Sequence, residues 1–309
     1  MFFLNKLKKN KFFLIAIFLL VAGLCVFFVN NIENKSIEIK ETQILEKKKV
    51  DYQSILNTIE AKSFYVYDIT NKKSLFSKDE HLKLPLASIT KLMSGFVVLD
   101  IMPETSIVTI NREDILAEGD SGLLLGEKWK LKDLLDYTLI TSSNDGMHAI
   151  SSYFDAYQEV NNKNTVELMN ERAKVFGLND TLFINETGLD IDSNTSGAYS
   201  SSYDVALLLE NILSNNPGLI SNTNRQNEDF ISLNKIKHTA TNTNVSVNQI
   251  PSLIASKTGF TNLAGGNLAV VFDAGFMHPV VIVVLGSSID GRFSDVTKLS
   301  RIALEKLSE

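Results

Sequence analysis

Residues 84–95 read LPLASITKLMSG, and this stretch places a serine and a lysine, Ser88 and Lys91, three positions apart among apolar side chains. On a helix, residues at i and i+3 lie on one face, so the two side chains are within reach of each other. A serine hydroxyl is a poor nucleophile until a neighbouring base takes its proton. Desolvation or a second nearby cation lowers the pKa of a lysine toward neutrality, which suits it to that task. One interpretation of the stretch is therefore a nucleophilic serine with a lysine base at the start of a buried helix.

The same pair has a plainer interpretation, in which Ser88 caps a helix and Lys91 extends its amine to solvent. The spacing also occurs by chance, because Ser232 and Lys235 repeat it. The pair alone therefore favours the plainer interpretation, and other motifs must accompany it before it indicates catalysis.

A second polar motif, Ser142-Ser143-Asn144, interrupts an apolar stretch that reads LITSSNDGMHAI. A hydroxyl and a carboxamide two positions apart in a short turn can both face a cleft. There Ser142 would relay a proton and Asn144 would bind a peptide group. The alternative is a polar helix-capping turn, and Ser-x-Asn recurs at Ser214 and at Ser246.

A third motif, Lys257-Thr258-Gly259, occurs once and leads into a predicted strand. A glycine lets a substrate backbone approach a strand edge, and a threonine hydroxyl can hold a carboxylate. Lys257 adds a positive charge that attracts an anion and lowers the pKa of Lys91. The alternative is a turn with a polar strand start. Together, however, the three motifs form a known catalytic signature. Their joint occurrence by chance is far less probable than the chance occurrence of any one of them.

These motifs and their surroundings resemble the D-alanyl-D-alanine carboxypeptidase family, the low-molecular-mass penicillin-binding proteins of serine peptidase family S11. The similarity runs from about residue 60 to about residue 305. It includes the segments LASITKLMSGFVVLD, GEKWKLKDLLDYTLITSSNDGMHAI, TGLD, TNTNVSV and SKTGFTNLAGGNLAV.

The resemblance implies a role for each motif residue. Ser88 would be the acylated nucleophile, Lys91 its base and Ser142 a group that assists proton transfer. The backbone N–H groups of Ser88 and Phe260 would form the oxyanion hole. Arg292, in SSIDGRFSD, matches an arginine that meets the substrate's terminal carboxylate. The implied substrate-binding residues are Asn144, Lys257, Thr258, Gly259, Phe260 and Arg292.

The order of predicted elements defines the fold class. SFYVYDIT and SLFSKD predict two strands around a polar turn, and NLAVVFDAG and HPVVIVVLGSS predict two more near the C-terminus. Amphipathic helices are predicted between them, one with Ser202 as its N-cap, and SDVTKLSRIALEKL predicts a final helix. This order is typical of an α/β (α+β) domain with a mostly antiparallel sheet flanked by helices. The resemblance adds a helical subdomain and a β-lactamase/transpeptidase-like fold, over residues 51–309.

The N-terminus predicts export. Residues 1–11 carry four lysines, and residues 12–29 are apolar throughout, which reaches the length of about 18 residues that spans a bilayer. Lysines before the span favour a cytoplasmic basic segment and a single-pass transmembrane signal-anchor in the cell membrane. Residues 30–50 mix both charge signs and predict a polar tether, with the catalytic domain extracytoplasmic. The alternative is a cleaved signal peptide and a secreted or periplasmic protein.

Composition excludes several other classes. The net charge is -6, so a nucleic acid is not an expected partner. The single cysteine, Cys25, lies in the apolar run, which rules out a disulfide within the chain and a cysteine-ligated zinc site. Four scattered histidines, among them His148 on a predicted helix surface, suggest no metal site. No cofactor is expected.

The resemblance implies a serine-type carboxypeptidase that removes the terminal D-alanine from peptidoglycan stem peptides, with β-lactams as covalent inhibitors of Ser88. Three alternatives stay open. A DD-endopeptidase that cleaves peptidoglycan crosslinks would use the same residues. A serine β-lactamase would need a glutamate that activates water, and Glu186 lies in a segment, FINETGLD, that resembles the peptidases instead. A non-enzymatic scaffold would have no need of Ser88 and Lys91, and the chain has both.

Overall fold

The computed structural model describes residues 51–116, 118–119, 121–158 and 163–309, together with residues 28, 31, 32 and 35. Residues 55–309 form one compact unit. The predicted basic segment lies outside the described residues, as do nearly all of the predicted span and tether. Within the described part of the chain, no helix has the length and apolar character needed to cross a membrane.

The strands in the described residues are β1 (Ser63–Asp68), β2 (Lys73–Lys78), β3 (Leu84–Pro85), β4 (Ile107–Thr109), β5 (Lys128–Lys130), β6 (Leu182–Phe183), β7 (Ala198–Ser200), β8 (Asn227–Ile231), β9 (Lys237–Thr241), β10 (Leu253–Thr261), β11 (Gly265–Asp273) and β12 (Pro279–Ser287). The α-helices are α1 (Tyr52–Leu56), α2 (Lys91–Ile101), α3 (Leu131–Thr141), α4 (Asn144–Gln158), α5 (Thr165–Val175), α6 (Ser202–Asn215) and α7 (Gly291–Leu307). Short 3-10 helices cover Ala87–Thr90, Asp114–Leu116, Pro217–Leu219 and Val247–Gln249.

The main sheet has the order β10-β11-β12-β1-β2, and every neighbouring pair in it is antiparallel. Its central strand β12 is buried from Val280 to Leu285, which explains the unbroken β-branched run in the sequence. Alternate residues face opposite sides, and α6 and α7 both pack on this strand. The sheet therefore has helices against it and keeps β10 at one edge, beside the segment that carries Ser88.

Helix α2 is the buried centre of the helical part of the molecule. Every residue from Lys91 to Val98 is buried, and α3, α4 and α5 all contact this helix. A helix that is apolar on nearly all sides is expected to be surrounded by protein, because no face of it favours water. Three small antiparallel sheets, β3-β7-β6, β4-β5 and β8-β9, complete the domain. The predicted fold class is confirmed by this mixed architecture and by the solved structures compared below.

Three local predictions differ from the structure. Ser201 is the N-cap of α6, with its hydroxyl accepting from the Asp204 N–H at 3.2 Å, whereas Ser202 was expected in that position. The Lys-Thr-Gly motif lies inside β10 instead of preceding a strand. His148 is half-buried on α4, with Nδ1 at 2.8 Å from an oxygen of the buried Asp114 carboxylate. That carboxylate raises the pKa of His148 by accepting its hydrogen bond.

Candidate active site

Ser88 lies in the 3-10 helix Ala87–Thr90, immediately before α2. Two contacts hold the residues that immediately precede this short helix. The Asn267 carboxamide of β11 donates to the carbonyls of Pro85 and Leu86, at 2.9 and 3.1 Å. Ala87 has a φ of 50°, a conformation that is costly for a residue with a side chain. A strained residue beside a half-exposed serine marks this turn as a candidate site.

Lys91 is fully buried, and its amine meets three oxygen atoms. Its Nζ lies 2.9 Å from Ser88 Oγ, 2.6 Å from Asn144 Oδ1 and 3.0 Å from the Thr187 carbonyl oxygen. Burial lowers the pKa of Lys91 from 10.5 to about 7, and the negative charge of Glu186 opposes part of that shift. A large fraction of the amine is therefore neutral at pH 7, with a lone pair that the Ser88 hydroxyl can reach.

The second motif forms the connection between α3 and α4. Helix α3 ends at Thr141, Ser142 adopts the left-handed conformation with φ of 62°, and α4 begins at Asn144. The Asn144 carboxamide donates from Nδ2 to the Glu118 carbonyl at 2.6 Å. This bond leaves Oδ1 directed at Lys91. The predicted polar interruption of two helices is thus a sharp turn whose side chains face the first motif.

The third motif lies on edge strand β10. Lys257 is buried and donates to Ser142 Oγ at 2.7 Å and to the Thr258 carbonyl at 2.9 Å. Thr258 Oγ1 lies 2.5 Å from Thr243 Oγ1. A Cβ at Gly259 would lie 2.7 Å from the Leu86 carbonyl oxygen and 3.3 Å from the Ser88 nitrogen. Only glycine lets this strand pass so close to the segment that carries Ser88.

Positive charge concentrates at this strand. Burial lowers the pKa of Lys257 well below 10.5, and the charges of Lys91 and Arg292 lower it further. Arg292, at the start of α7, donates from a terminal guanidinium nitrogen to the Gly259 carbonyl at 2.8 Å. Its Nε is buried and has no hydrogen-bond partner among the residues that the structure describes, and its guanidinium lies 4.7 Å from the Phe293 ring centre. The Arg292 guanidinium, together with Lys257 when its amine is protonated, favours an anion next to β10.

A cleft of about 390 Å³ opens beyond the end of β10. Phe260, which is 45% exposed, and Thr261 line one side, while Leu189 and Asp190 line another. Of the nine predicted site residues, Phe260 lines this cleft, and the contacts described above join the other eight to one another beside it. The competing matches lie elsewhere: Ser232 and Lys235 occupy the turn between β8 and β9, Ser214 lies near the end of α6, and Ser246 precedes a 3-10 helix.

Some groups in the site escaped the sequence analysis. The carbonyls of Thr187 and Glu118 orient Lys91 and Asn144, and the Thr243 hydroxyl meets Thr258. Every residue has a backbone carbonyl, so no sequence pattern could have identified the carbonyls of Thr187 and Glu118. Thr243 and Thr187 do belong to TNTNVSV and TGLD, the segments on which the family resemblance rests.

Solved structures similar to this fold include penicillin-binding proteins and a DD-transpeptidase. A variant of a Streptomyces DD-transpeptidase matches with a TM-score of 0.71 and 23% identity, over 80% of this chain and 99% of that one. A cefotaxime-bound penicillin-binding protein of Listeria monocytogenes matches with a TM-score of 0.67 and 25% identity, over 79% and 97% of the two chains.

Sequence comparison then identifies the family. The D-alanyl-D-alanine carboxypeptidase family model matches residues 47–288, so the chain belongs to this family of serine peptidases. It is 29% identical to the D-alanyl-D-alanine carboxypeptidase DacF of Bacillus subtilis over 80% of the chain, and 31% identical to DacD of Escherichia coli over 79%. It is also 28% identical to the D-alanyl-D-alanine endopeptidase of Escherichia coli, over 78% of the chain and 75% of that protein. The chain spans 63% of the length of each of the two carboxypeptidases.

Burial of Lys91 predicts a pH-dependent stability. The pKa of this amine is about 7 in the folded state and near 10.5 in the unfolded state, so the unfolded chain binds more protons between these values. Stability contributed by this group therefore rises with pH across that window. We expect the unfolding free energy of wild type to gain about 2 kcal/mol relative to Lys91→Met between pH 7 and pH 9. Urea titrations at both pH values measure the difference, and parallel pH dependences in the two proteins would contradict it.

Proposed function

We propose that this chain is a serine D-Ala-D-Ala carboxypeptidase that trims the terminal D-alanine from peptidoglycan stem peptides through an acyl-enzyme on Ser88. The observation that carries the proposal is the contact between Ser88 Oγ and the buried Lys91 amine, at 2.9 Å. A pKa of about 7 keeps much of Lys91 deprotonated at neutral pH, which is the form that a general base requires.

In the acylation step, Ser88 Oγ attacks the carbonyl carbon of the penultimate D-alanine while its proton passes to Lys91 Nζ. The backbone N–H groups of Ser88 and Phe260 would stabilise the tetrahedral oxyanion, each contributing roughly 3 kcal/mol if they resemble oxyanion donors elsewhere. The close approach of Gly259 to the Ser88 nitrogen supports this pairing, because it places the two segments side by side.

The substrate's terminal carboxylate would lie against β10, held by Lys257, Thr258 and the charge of Arg292. A bound carboxylate favours protonated Lys257, which offsets the burial that lowers the pKa of its amine. Ser142 accepts a hydrogen bond from Lys257 and can relay a proton to the nitrogen of the leaving D-alanine. Asn144 would bind a peptide group of the substrate. Water then hydrolyses the ester on Ser88 and releases the shortened peptide.

A DD-endopeptidase is the second candidate, because the similar Escherichia coli protein named above is one. Both reactions cleave a bond after D-alanine and use the same site. They differ in the leaving amine, which is free D-alanine in one case and a crosslinked side chain in the other. Two assays distinguish the activities. Release of D-alanine from a linear pentapeptide reports the carboxypeptidase, and cleavage of a crosslinked dimer reports the endopeptidase.

β-Lactams would acylate the same serine, since they present a strained amide and a carboxylate in a similar arrangement. The cefotaxime-bound state of the Listeria monocytogenes relative supports this proposal. A β-lactamase is less favoured, because Glu186 lies in the segment FINETGLD, which resembles the peptidases and not the glutamate motif with which class A β-lactamases activate water.

We also propose that residues 51–309 are the peptidase domain and lie outside the cell. Residues 12–29 would anchor them in the cell membrane, after a cytoplasmic segment 1–11 and before a polar tether 30–50. The apolar length of the run and the lysines before it support this arrangement. A secreted or periplasmic form, cleaved from its signal, is the alternative.

Substitution of the nucleophile tests the proposed function. We expect Ser88→Ala to abolish both labelling by a fluorescent penicillin and release of D-alanine from a pentapeptide, because no group remains to form the ester. Ser232→Ala is the matched control, since it belongs to the other Ser-x-x-Lys pair and lies in the β8–β9 turn. Wild type and Ser232→Ala should both give one penicilloyl adduct by intact mass. Labelling of Ser88→Ala would remove Ser88 from this role.

Fractionation of cells that express the full chain tests the anchor. We expect the intact 34.3 kDa chain in the membrane pellet after alkaline carbonate washing, because a spanning helix resists extraction. Replacement of Leu19 and Leu20 by arginine should move the chain out of that pellet. A shorter wild-type chain in the soluble exported fraction would instead establish signal cleavage.

A further inference from the structure

The loop of residues 185–190 lies directly against the nucleophile segment. Its Thr187 carbonyl accepts from Lys91, and its Gly188 approaches Ala87 so closely that a Cβ there would lie 2.0 Å from the Ala87 carbonyl oxygen. The Asn185 carboxamide braces the loop from within, accepting from the Gly188 N–H at 2.7 Å and donating to the Leu189 carbonyl at 2.9 Å. The loop is therefore held by its own hydrogen bonds, and it contacts both Lys91 and the segment that carries Ser88.

The far end of the same loop is joined to the end of β10. One oxygen of the Asp190 carboxylate accepts from Thr261 Oγ1 at 3.0 Å, and the other accepts from the Leu263 N–H at 3.3 Å. Thr261 Oγ1 in turn accepts from the Ala264 N–H at 3.2 Å. One carboxylate thus connects the loop beside Lys91 to the turn that follows Phe260.

We propose that Asp190 is a positioning residue, which clamps the 185–190 loop to the β10–β11 turn and so fixes the Ser88 segment relative to Phe260. The inference rests on the proposed function, because the relative position of these two segments affects acylation only if their N–H groups bind the same oxyanion. A displacement of about 1 Å in such a site can lower a rate by about a hundredfold. Asp190 therefore acts on acylation through the geometry of other residues.

Asp190 also lines the cleft, so direct contact with substrate is the competing role. Benzylpenicillin distinguishes the two roles, since it offers no cationic group to a carboxylate but still requires the oxyanion hole. A positioning role predicts slower acylation by benzylpenicillin. A contact role predicts normal acylation by benzylpenicillin and a raised KM for a pentapeptide with a cationic side chain.

The experiment compares acylation rates of the full chain and its variants in detergent. We expect Asp190→Ala to lower the second-order rate constant for benzylpenicillin at least tenfold. Asp190→Asn should give a smaller loss, because its carboxamide oxygen can still accept from Thr261. The control is Asp192→Ala, which removes a second carboxylate from the cleft lining, one that accepts from the backbone N–H groups of Asn194 and Thr195, and we expect its rate within twofold of wild type. If Asp190→Ala fails to fold, Thr261→Val is the second variant. It removes the hydroxyl that donates to Asp190 and should lower the rate severalfold.

Hydrogen exchange measured without any ligand separates this inference from the proposed function. We expect Asp190→Ala to increase amide exchange in residues 185–190 and 261–264, and Asp192→Ala to leave the second segment unchanged. Wild-type exchange in both segments of Asp190→Ala would overturn the clamp, whether or not the wild-type protein reacts with penicillin. Unchanged acylation in Asp190→Ala, or a defect confined to the KM of the cationic peptide, would overturn the positioning role.

Discussion

The site depends on a lysine amine held out of water at a distance of 2.9 Å from a serine hydroxyl. Burial of an ionised amine is costly, and the protein meets that cost by favouring the neutral form and surrounding Nζ with oxygen atoms. Each of these atoms comes from a different part of the chain: Ser88 from the 3-10 helix, Asn144 from α4 and Thr187 from a loop. The surrounding architecture can be understood as the means of bringing these three segments to one buried point.

The main sheet supplies the other half of the site. Strand β10 lies at the edge of the sheet, so the side of its motif without a neighbouring strand lies against the segment that carries Ser88. Gly259 lets it lie against the backbone of the Ser88 segment, and Lys257 links it to Ser142 in the α3–α4 turn. The helical part and the sheet therefore meet through direct contacts among the three motifs. Separation of these layers would disrupt the proposed nucleophile, its base and the carboxylate site together.

Sequence patterns predicted those parts of the fold and the site that depend on which side chains are present. The apolar surroundings of Lys91 predicted a buried helix, and the β-branched runs predicted β11 and β12. The accompanying motifs decided between the two Ser-x-x-Lys pairs, and the structure places Ser232 and Lys235 in a hairpin turn. The Thr187 and Glu118 carbonyls could not be predicted, because every residue has such a group and only the fold selects these two. The Lys-Thr-Gly motif is predicted to lead into a strand, whereas the ladder of β10 already runs through all three of its residues.

The most direct test of this account is the pH dependence of acylation by a fluorescent penicillin. Lys91 acts as a base only when deprotonated, so we expect the rate constant of the wild-type protein to rise with pH, with a midpoint near its pKa of about 7, and to level off above it. A rate that is constant from pH 5 to pH 9, or a midpoint near the 10.5 of an ordinary lysine, would contradict the central role given to the buried amine.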